Sequence, residues 1–183
     1  MNMNIFAPAV DHSAQHASLL LLLSDAEKLA SALSKPNLAT INFVPPQPEQ
    51  PLLIAAAAGN HAESVSLLLA AKADVDVTDG VTGATACFAA AQADATAVLS
   101  VLILANADIN KPRGSSGATP LYMACQSGHV STVRQLLAAN ARLDQPKQGG
   151  FTPLHIACMR QRVECVSVLL EARADASERR TQI

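Results

Sequence analysis

The chain has 183 residues, of which 50% are hydrophobic, 3% aromatic and 15% charged, and its formal net charge is -2. This length is sufficient for one well-packed domain. A nearly neutral charge without a basic patch argues against nucleic-acid binding, and the scarcity of aromatic rings leaves little on which bases could stack.

The N-terminal part of the chain predicts an irregular helical hairpin. Residues 1–10 are expected to be disordered, as chain ends often are. Asp11 can cap a first helix that runs into Leu19–Leu23, an apolar run too short to span a membrane and without the basic flank of a signal peptide. A capping-box pattern beginning at Ser24 predicts a second helix over Glu27–Ser34.

A proline-rich segment follows this hairpin. Four prolines within Asn37–Pro51 predict an extended connector rather than a helix. We interpret it as an elongated loop, with a docking strap for another molecule as the alternative.

The clearest pattern in the chain is a pair of short amphipathic helices in its C-terminal half. Thr119 predicts a helix start because its hydroxyl can accept from the first-turn N–H groups, and Pro120 suits the first helical position. Gly128 predicts the end of this helix, and Asn140 predicts a left-handed end to the second. One such pair cannot bury its own apolar face, so it needs neighbours.

The same pattern recurs along the chain. Thr85, Thr119 and Thr152 follow one another at a nearly constant interval, and two further steps of similar length lead back to Gln50 and Gln15. Self-similarity at a period of about 34 residues is the signature of a stacked solenoid. We therefore predict an all-α solenoid of stacked helix-turn-helix pairs over residues 11–183, with five units near 11–49, 50–84, 85–118, 119–151 and 152–183.

This register aligns three columns across the five units. The apolar column of the second helices contains Leu29, Val65, Leu99, Val133 and Val166. The small-residue column of the first helices contains Leu20, Ala55, Ala90, Ala124 and Ala157. The column at the ends of the second helices contains Lys72, Asn106, Asn140 and Arg173, all expected in the left-handed conformation.

Residues 119–141 and 152–175 closely resemble ankyrin repeats, through TPLYMACQSGHVSTVRQLLAANA and TPLHIACMRQRVECVSVLLEARAD, and residues 83–110 resemble them in outline. The resemblance covers the chain from about Gln15 onward and is weakest in the first unit. Ala86 stands where the repeat usually has proline, and the second unit is read with one extra residue near Gly59. The resemblance implies an ankyrin-repeat solenoid whose units are joined by finger loops, in which His155 braces its turn by hydrogen bonding.

The fingers and the last helix carry further expectations. The bases of two fingers, at residues 73–76 and 107–110, alternate apolar and polar residues, which predicts short β-like pairs. In the last helix, four residues are expected to form the inner face that packs against the preceding unit. Cys165 and Val168 are expected on the outer side, which is only half polar. Those four inner positions are Val163, Val166, Leu169 and Leu170.

Polar residues suited to catalysis or metal binding have structural explanations. Four cysteines lack CxxC spacing, and Cys125 and Cys158 share a small core column, so reduced buried thiols are expected rather than zinc ligands. His12 and His16 have metal-ligand spacing on a helix, but without a third ligand we interpret them as surface histidines. The acidic group at residues 74–79 is interpreted as turn formers rather than a calcium site. No enzyme activity, cofactor or metal is predicted.

Function is expected on the concave surface that a solenoid exposes. We predict a protein-binding adaptor or inhibitor, monomeric, without nucleic-acid or membrane partners, in the cytoplasm, with the nucleus as a further compartment. The alternative is a structural or regulatory repeat segment that self-associates or belongs to a larger assembly, favoured by the half-apolar last helix.

The ankyrin resemblance implies contact residues at the finger tips and at the ends of the first helices. They are Val81, Thr82, Ser115, Ser116, Gln148 and Phe151 on the fingers, and Gln92, Gln126, Ser127, Met159 and Arg160 on the helices. Phe151, Met159 and Arg160 are of the types enriched at interface hot spots. For Phe151, packing against its own repeat is the alternative.

Overall fold

Three stretches of the chain are described by the computed structural model: residues 12–33, 41–43 and 50–181. The side chains of residues 12–14, Ser115 and 174–181 are outside this description. The predicted disordered segment 1–10 and most of the predicted connector Asn37–Pro51 also lie outside it.

The described residues form ten α-helices in five consecutive pairs. These pairs are His12–Leu20 (α1) with Ala26–Leu33 (α2), Leu52–Ala58 (α3) with Ala62–Ala70 (α4), Ala86–Gln92 (α5) with Thr96–Leu104 (α6), Pro120–Ser127 (α7) with Val130–Ala138 (α8), and Pro153–Met159 (α9) with Val163–Thr181 (α10).

The helices stack in two layers. Each first helix contacts the first helix of the next pair, from α1 through α9, and each second helix contacts the next second helix, from α2 through α10. Within the described stretches there is no strand, and an isolated bridge joins Arg113 to Ala118 in one finger. The predicted all-α solenoid is confirmed. The predicted β-like pairs at residues 73–76 and 107–110 are wrong, because those segments form turns fixed by side-chain hydrogen bonds.

The predicted threonine caps are confirmed at three helix starts. The hydroxyl oxygens of Thr85, Thr119 and Thr152 each accept from the backbone N–H three residues later, at 3.2, 3.2 and 3.4 Å. At α2 the cap lies one residue later than predicted. Asp25 accepts from the Lys28 N–H at 3.1 Å, so Asp25 rather than Ser24 begins that helix.

In the second unit, the predicted register is wrong by one residue. Pro51, not Gln50, is the N-cap of α3, and Asn60 has φ 58°, as its counterpart Asp94 has φ 54°. The second unit therefore contains no extra residue. Its small-column residue is the fully buried Ala56 rather than Ala55. The error arose because Pro51 imitates the proline of a Thr-Pro start, whereas here it occupies the preceding cap position.

The second-helix column forms much of the core. Leu29, Val65, Leu99 and Val133 are fully buried, whereas Val166, the last member, is half-buried. These small and branched side chains allow helices to pack closely without aromatic residues. No helix within the described residues has both the length and the apolar character needed to cross a membrane.

The predicted inner face of α10 is confirmed at Leu169 and wrong at Val163 and Leu170. Cys165, Val168 and Leu169 are buried, whereas Val163 is 76% exposed and Leu170 is 50% exposed. In the repeat alignment Cys165 corresponds to the buried Thr132 of α8, so this is the side that faces the preceding pair. The outer side of the last described helix therefore exposes Val163 and Leu170 rather than Cys165 and Val168.

The helix-end column is confirmed at three of its four positions. Lys72, Asn106 and Asn140 have φ of 69°, 60° and 63°. Arg173 is different, because α10 continues to Thr181 without a left-handed residue at that position.

The interpretation of His16 as a surface residue is also wrong. Its side chain is fully buried, and its ring lies edge-on to Phe43 with 5.6 Å between centroids. The helical spacing identified a shared face with His12, but it could not show that Phe43 would cover one member of the pair.

Candidate functional site

The finger loops are held in register by a ladder of side-chain acceptors. Each acceptor at a finger base binds a backbone N–H in the next repeat, and successive acceptors are one full repeat apart. The pairs are Asn42 Oδ1 with Asp74 N at 2.7 Å, Asp76 Oδ1 with Asp108 N at 3.0 Å, and Asn110 Oδ1 with Arg142 N at 2.8 Å. This ladder was not predicted, although the recurrence of Asn or Asp at this spacing was visible in the sequence.

Asp79 organises the tip of the first described finger. Its carboxylate accepts from the N–H groups of Val81, Thr82 and Gly83, and from the Thr82 hydroxyl at 2.6 Å. Burial alone would raise the pKa of this carboxyl, but the hydrogen bonds from Thr82, Gly83 and Val81 outweigh burial and lower the pKa. The prediction that this acidic group forms turns is confirmed.

Within the described residues, no three His, Cys, Asp or Glu side chains lie together in a group that could hold a metal ion.

Neighbouring fingers approach each other backbone to backbone. A Cβ atom on Gly114 would lie 2.5 Å from the carbonyl oxygen of Thr82, and one on Gly83 would lie 2.7 Å from the Gly114 nitrogen. Further along, the Gln148 N–H donates to the Ser116 carbonyl at 3.0 Å. The glycines at positions 83 and 114 are therefore required by contact between fingers, and the tips form a continuous edge.

Two fingers each place a cation over an aromatic ring of the first helix of their own unit. The Arg113 guanidinium lies 5.3 Å from the Phe88 ring centroid, and the Lys147 ammonium lies 5.5 Å from that of Tyr122. Both cations are half-buried and both rings are buried. The second pair occupies the same repeat positions as the first, one repeat further along, so this arrangement recurs along the face.

A groove of about 480 Å³ lies between the fingers and the first helices of the second and third units. Its apolar lining residues are Ile54, Ala58, Ala84, Phe88, Ala89 and Ala93. Its polar lining residues are Gln50, Asp79, Thr82, Gln92 and Arg113. A concave apolar floor with a few polar groups at its rim is the usual form of a binding site.

The predicted contact residues differ in exposure. Val81 and Met159 are each 64% exposed and Phe151 is 41% exposed. The exposed polar members are Gln92, Gln148 and Arg160, and the half-buried members are Thr82, Ser116, Gln126 and Ser127. The side chain of Ser115 is outside the description. Of the predicted set, Thr82 and Gln92 line the groove, Val81 lies beside Thr82 on the same finger, and the other residues lie on the fingers and first helices of the later units.

Phe151 packs against its own repeat and is also partly exposed. Its ring stands edge-on to the His155 ring, with centroids 6.4 Å apart, so it packs partly against its own repeat. Enough of the ring is exposed to contact another molecule.

Two histidines have structural roles. His155 Nδ1 accepts from the Thr152 N–H at 3.1 Å, which confirms that His155 braces its turn. His129 Nε2 lies 3.1 Å from the Gln92 carbonyl oxygen of the preceding unit. Each of these ring nitrogens thus contacts a backbone group near the start of a helix.

The prediction of buried thiols is confirmed for Cys87 and Cys125 and wrong for Cys158, whereas Cys165 is buried although it was expected on an outer side. Cys87, Cys125 and Cys165 are buried, and burial raises the pKa of each thiol, to about 12 for Cys87. Cys158 is exposed because it belongs to the last described first helix, α9, where no further described helix covers that side.

Comparisons with known proteins agree with this architecture. A family model described as ankyrin repeats (three copies) matches residues 89–180, and a second model, a single ankyrin repeat, matches residues 50–80. The matched ranges contain most of the finger-and-helix face described above, and Val81, Thr82, Ala84 and Phe88 lie between them. No curated protein matches the chain as a relative.

Proposed function

Because the chain belongs to the ankyrin repeat family, whose repeats are in general protein–protein interaction modules, we propose that it is a non-enzymatic adaptor or inhibitor that binds a protein partner. The proposed contact surface is the concave face, made of the finger tips and the first helices. The cytoplasm, and also the nucleus, is the proposed compartment, and a monomer the proposed state.

The observation that carries this proposal is the groove of about 480 Å³ between fingers and first helices. The groove combines the buried ring of Phe88, a row of alanines and exposed polar residues at helix ends, such as Gln92. Alanine side chains let a partner approach the helices closely, and the rim supplies hydrogen-bond donors and acceptors.

The proposal can be tested by comparing protein capture on two faces. The wild-type chain, a Gln92→Arg variant and a Phe151→Ala variant would be used as baits, with Ser100→Arg on the outer helix α6 as the matched control. We expect the same captured proteins on wild type and control, and their loss from the concave-face variants. Retention by both concave-face variants, together with loss from the control, would place binding on the other face.

Self-association is the second candidate, and the apolar outer side of α10 favours it. Val163 and Leu170 are exposed there, and Cys158 is exposed on the adjacent α9. Light scattering over a range of concentrations would separate the two functions. A mass that stays at one chain supports the monomeric binder, whereas a mass that doubles and reverts in Leu170→Glu supports association through this side.

A further inference from the structure

The concave face carries cations that form no ion pair with the part of the chain that the structure describes. Neither the Arg113 guanidinium nor the Lys147 ammonium forms a hydrogen bond or an ion pair with any residue that the structure describes. Each instead lies over an aromatic ring, which holds the charge at a fixed place while leaving its N–H groups directed to solvent or to a ligand.

The acidic groups of this face lie on the fingers and not on the first helices of the second to fifth units. The first helices α3, α5, α7 and α9 contain no Asp or Glu. Among the described residues that line the groove, Asp79 is the one carboxylate, and its oxygens already accept four hydrogen bonds from its own finger. Asp79 nevertheless keeps its negative charge, and the fingers also carry Asp74, Asp76, Asp108 and Asp144, so the positive charge is local to Arg113 and Lys147 and does not extend over the whole face.

We propose that the concave face binds an extended acidic segment of a partner protein, with one carboxylate on Arg113 and a second on Lys147. This inference rests on the proposed function and names the chemistry of the partner. Because the two cations are one repeat apart, and packed helices lie roughly 8–10 Å apart, the two carboxylates are expected about three residues apart in an extended segment that rises about 3.3 Å per residue.

The groove indicates what lies beside the carboxylate on Arg113, on the side away from Lys147. Its floor near Arg113 is formed by Ala58, Ala89 and Ala93 with Ile54 beneath, so small or apolar side chains fit there. A peptide supplies carboxylates and apolar side chains together. A nucleic acid supplies closely spaced phosphates and bases that need exposed rings, whereas the rings under the two cations are only 2% and 3% exposed.

The test uses rhodamine-labelled peptides of eleven residues and fluorescence anisotropy with the full chain. One peptide carries glutamates three positions apart in an alanine, leucine and serine background. A second has glutamine at both positions, and a third has the two glutamates adjacent. A single-stranded oligonucleotide of equal length is the fourth probe. Measurements at low and high salt report the electrostatic share of binding.

We expect the first peptide to bind the wild-type chain roughly tenfold more tightly than the glutamine peptide and more tightly than the adjacent-glutamate peptide. Arg113→Gln and Lys147→Gln should each weaken its binding roughly three- to tenfold, whereas Arg113→Lys and Lys147→Arg should largely retain it. Arg134→Gln on α8 removes an equally charged, 61% exposed side chain from the outer layer and should change nothing.

Equal binding of the glutamate and glutamine peptides to wild-type protein would overturn the inference without any variant being needed. Tighter binding of the oligonucleotide than of every peptide would also overturn it. Neither result affects the proposed function, because capture on Gln92→Arg and Phe151→Ala baits tests the face itself and does not depend on acidic partners.

Discussion

At the scale of single residues, the four cysteines occupy two chemical environments. Burial raises the pKa of the thiols of Cys87, Cys125 and Cys165, which keeps them protonated and unreactive at neutral pH. Cys158 is exposed on α9. One thiol is therefore expected to behave differently from the other three.

We predict that a disulfide reagent at pH 7.5 modifies one thiol of the native chain within minutes and the other three only after denaturation. Cys158→Ala should abolish the fast reaction and leave the slow one unchanged, as measured by released thiolate and intact mass. Rapid modification of more than one thiol in the native chain would contradict the burial of the remaining three.

Asp79 provides a second residue-scale prediction, on the pH dependence of stability. The pKa of its carboxyl is lower in the folded chain than the unfolded value of about 3.9. The ionised carboxylate therefore stabilises the fold fully above the unfolded pKa, and this contribution is lost as the pH falls through the lowered folded pKa. Asp79→Asn should cost about 1–2 kcal/mol at pH 7.

The measurement is urea unfolding of wild type and Asp79→Asn between pH 7 and pH 2.5. The difference in free energy of unfolding should shrink steadily below about pH 4. Asp74→Asn is the matched control, since Asp74 accepts one backbone hydrogen bond within its own finger and is exposed. A difference that stays constant with pH would show that ionisation of Asp79 is irrelevant.

At the scale of elements, helix ends can be tested with glycine. Lys72 has φ 69°, a conformation that costs a residue with a Cβ atom about 1 kcal/mol, so Lys72→Gly should stabilise by that amount. Arg173 lies inside α10, so Arg173→Gly should destabilise by about 1 kcal/mol. Asn106→Gly should change little, because asparagine tolerates its φ of 60°.

Thermal unfolding followed by circular dichroism measures all three variants. The opposite signs at positions 72 and 173 are the decisive result, since a simple repeat alignment expects the same sign at both. Stabilisation by Arg173→Gly would indicate that the last helix ends there.

The elements that the sequence predicted correctly depend on local chemistry. A threonine before a helix caps it through atoms three residues away, so the caps at Thr85, Thr119 and Thr152 could be read directly. The errors concern effects that arise between units. Burial of His16 depends on a ring from the following segment, and burial of Cys165 depends on which neighbour α10 faces. The repeat period alone identifies a row of residues on one face of a helix, but it does not show which neighbouring element covers that row.

For the candidate site, the sequence indicated the positions along the repeats but not the contacts between their side chains. The repeat pattern indicates the finger tips and helix ends as contact positions. Two of the residues at these positions, Thr82 and Gln92, line the groove. The pairing of Arg113 with Phe88 was missed, because the two residues are far apart in sequence and the repeat pattern does not relate a finger residue to a residue of the first helix. Only the recurrence of a cation at a fixed distance after an aromatic residue, seen again at Lys147, could have indicated it.

At the scale of the whole molecule, position in the stack should determine the cost of a core substitution. Val133 and Val166 occupy the same repeat position, but Val133 is fully buried between neighbours and Val166 is half-buried on the last described helix. We predict that Val133→Ala costs about 2 kcal/mol and Val166→Ala less than half of that.

Urea unfolding with both variants checks this prediction, and an unchanged slope shows that the unfolded state is comparable. Val65→Ala, in the same column of the second unit and fully buried, is expected to match Val133→Ala. Equal costs at positions 133 and 166 would show that another part of the molecule covers Val166 in solution.

The acceptor ladder at the finger bases has a genetic consequence. Asp76 binds the Asp108 N–H, and Asn110, one repeat after Asp76, binds the Arg142 N–H. If a tandem duplication copied residues 76–109, the second copy of Asp76 would stand where Asn110 now stands and would reach the second copy of the Asp108 N–H. Every rung would keep an acceptor and a donor, so the array can gain a whole repeat in one duplication without a new type of contact at the junction.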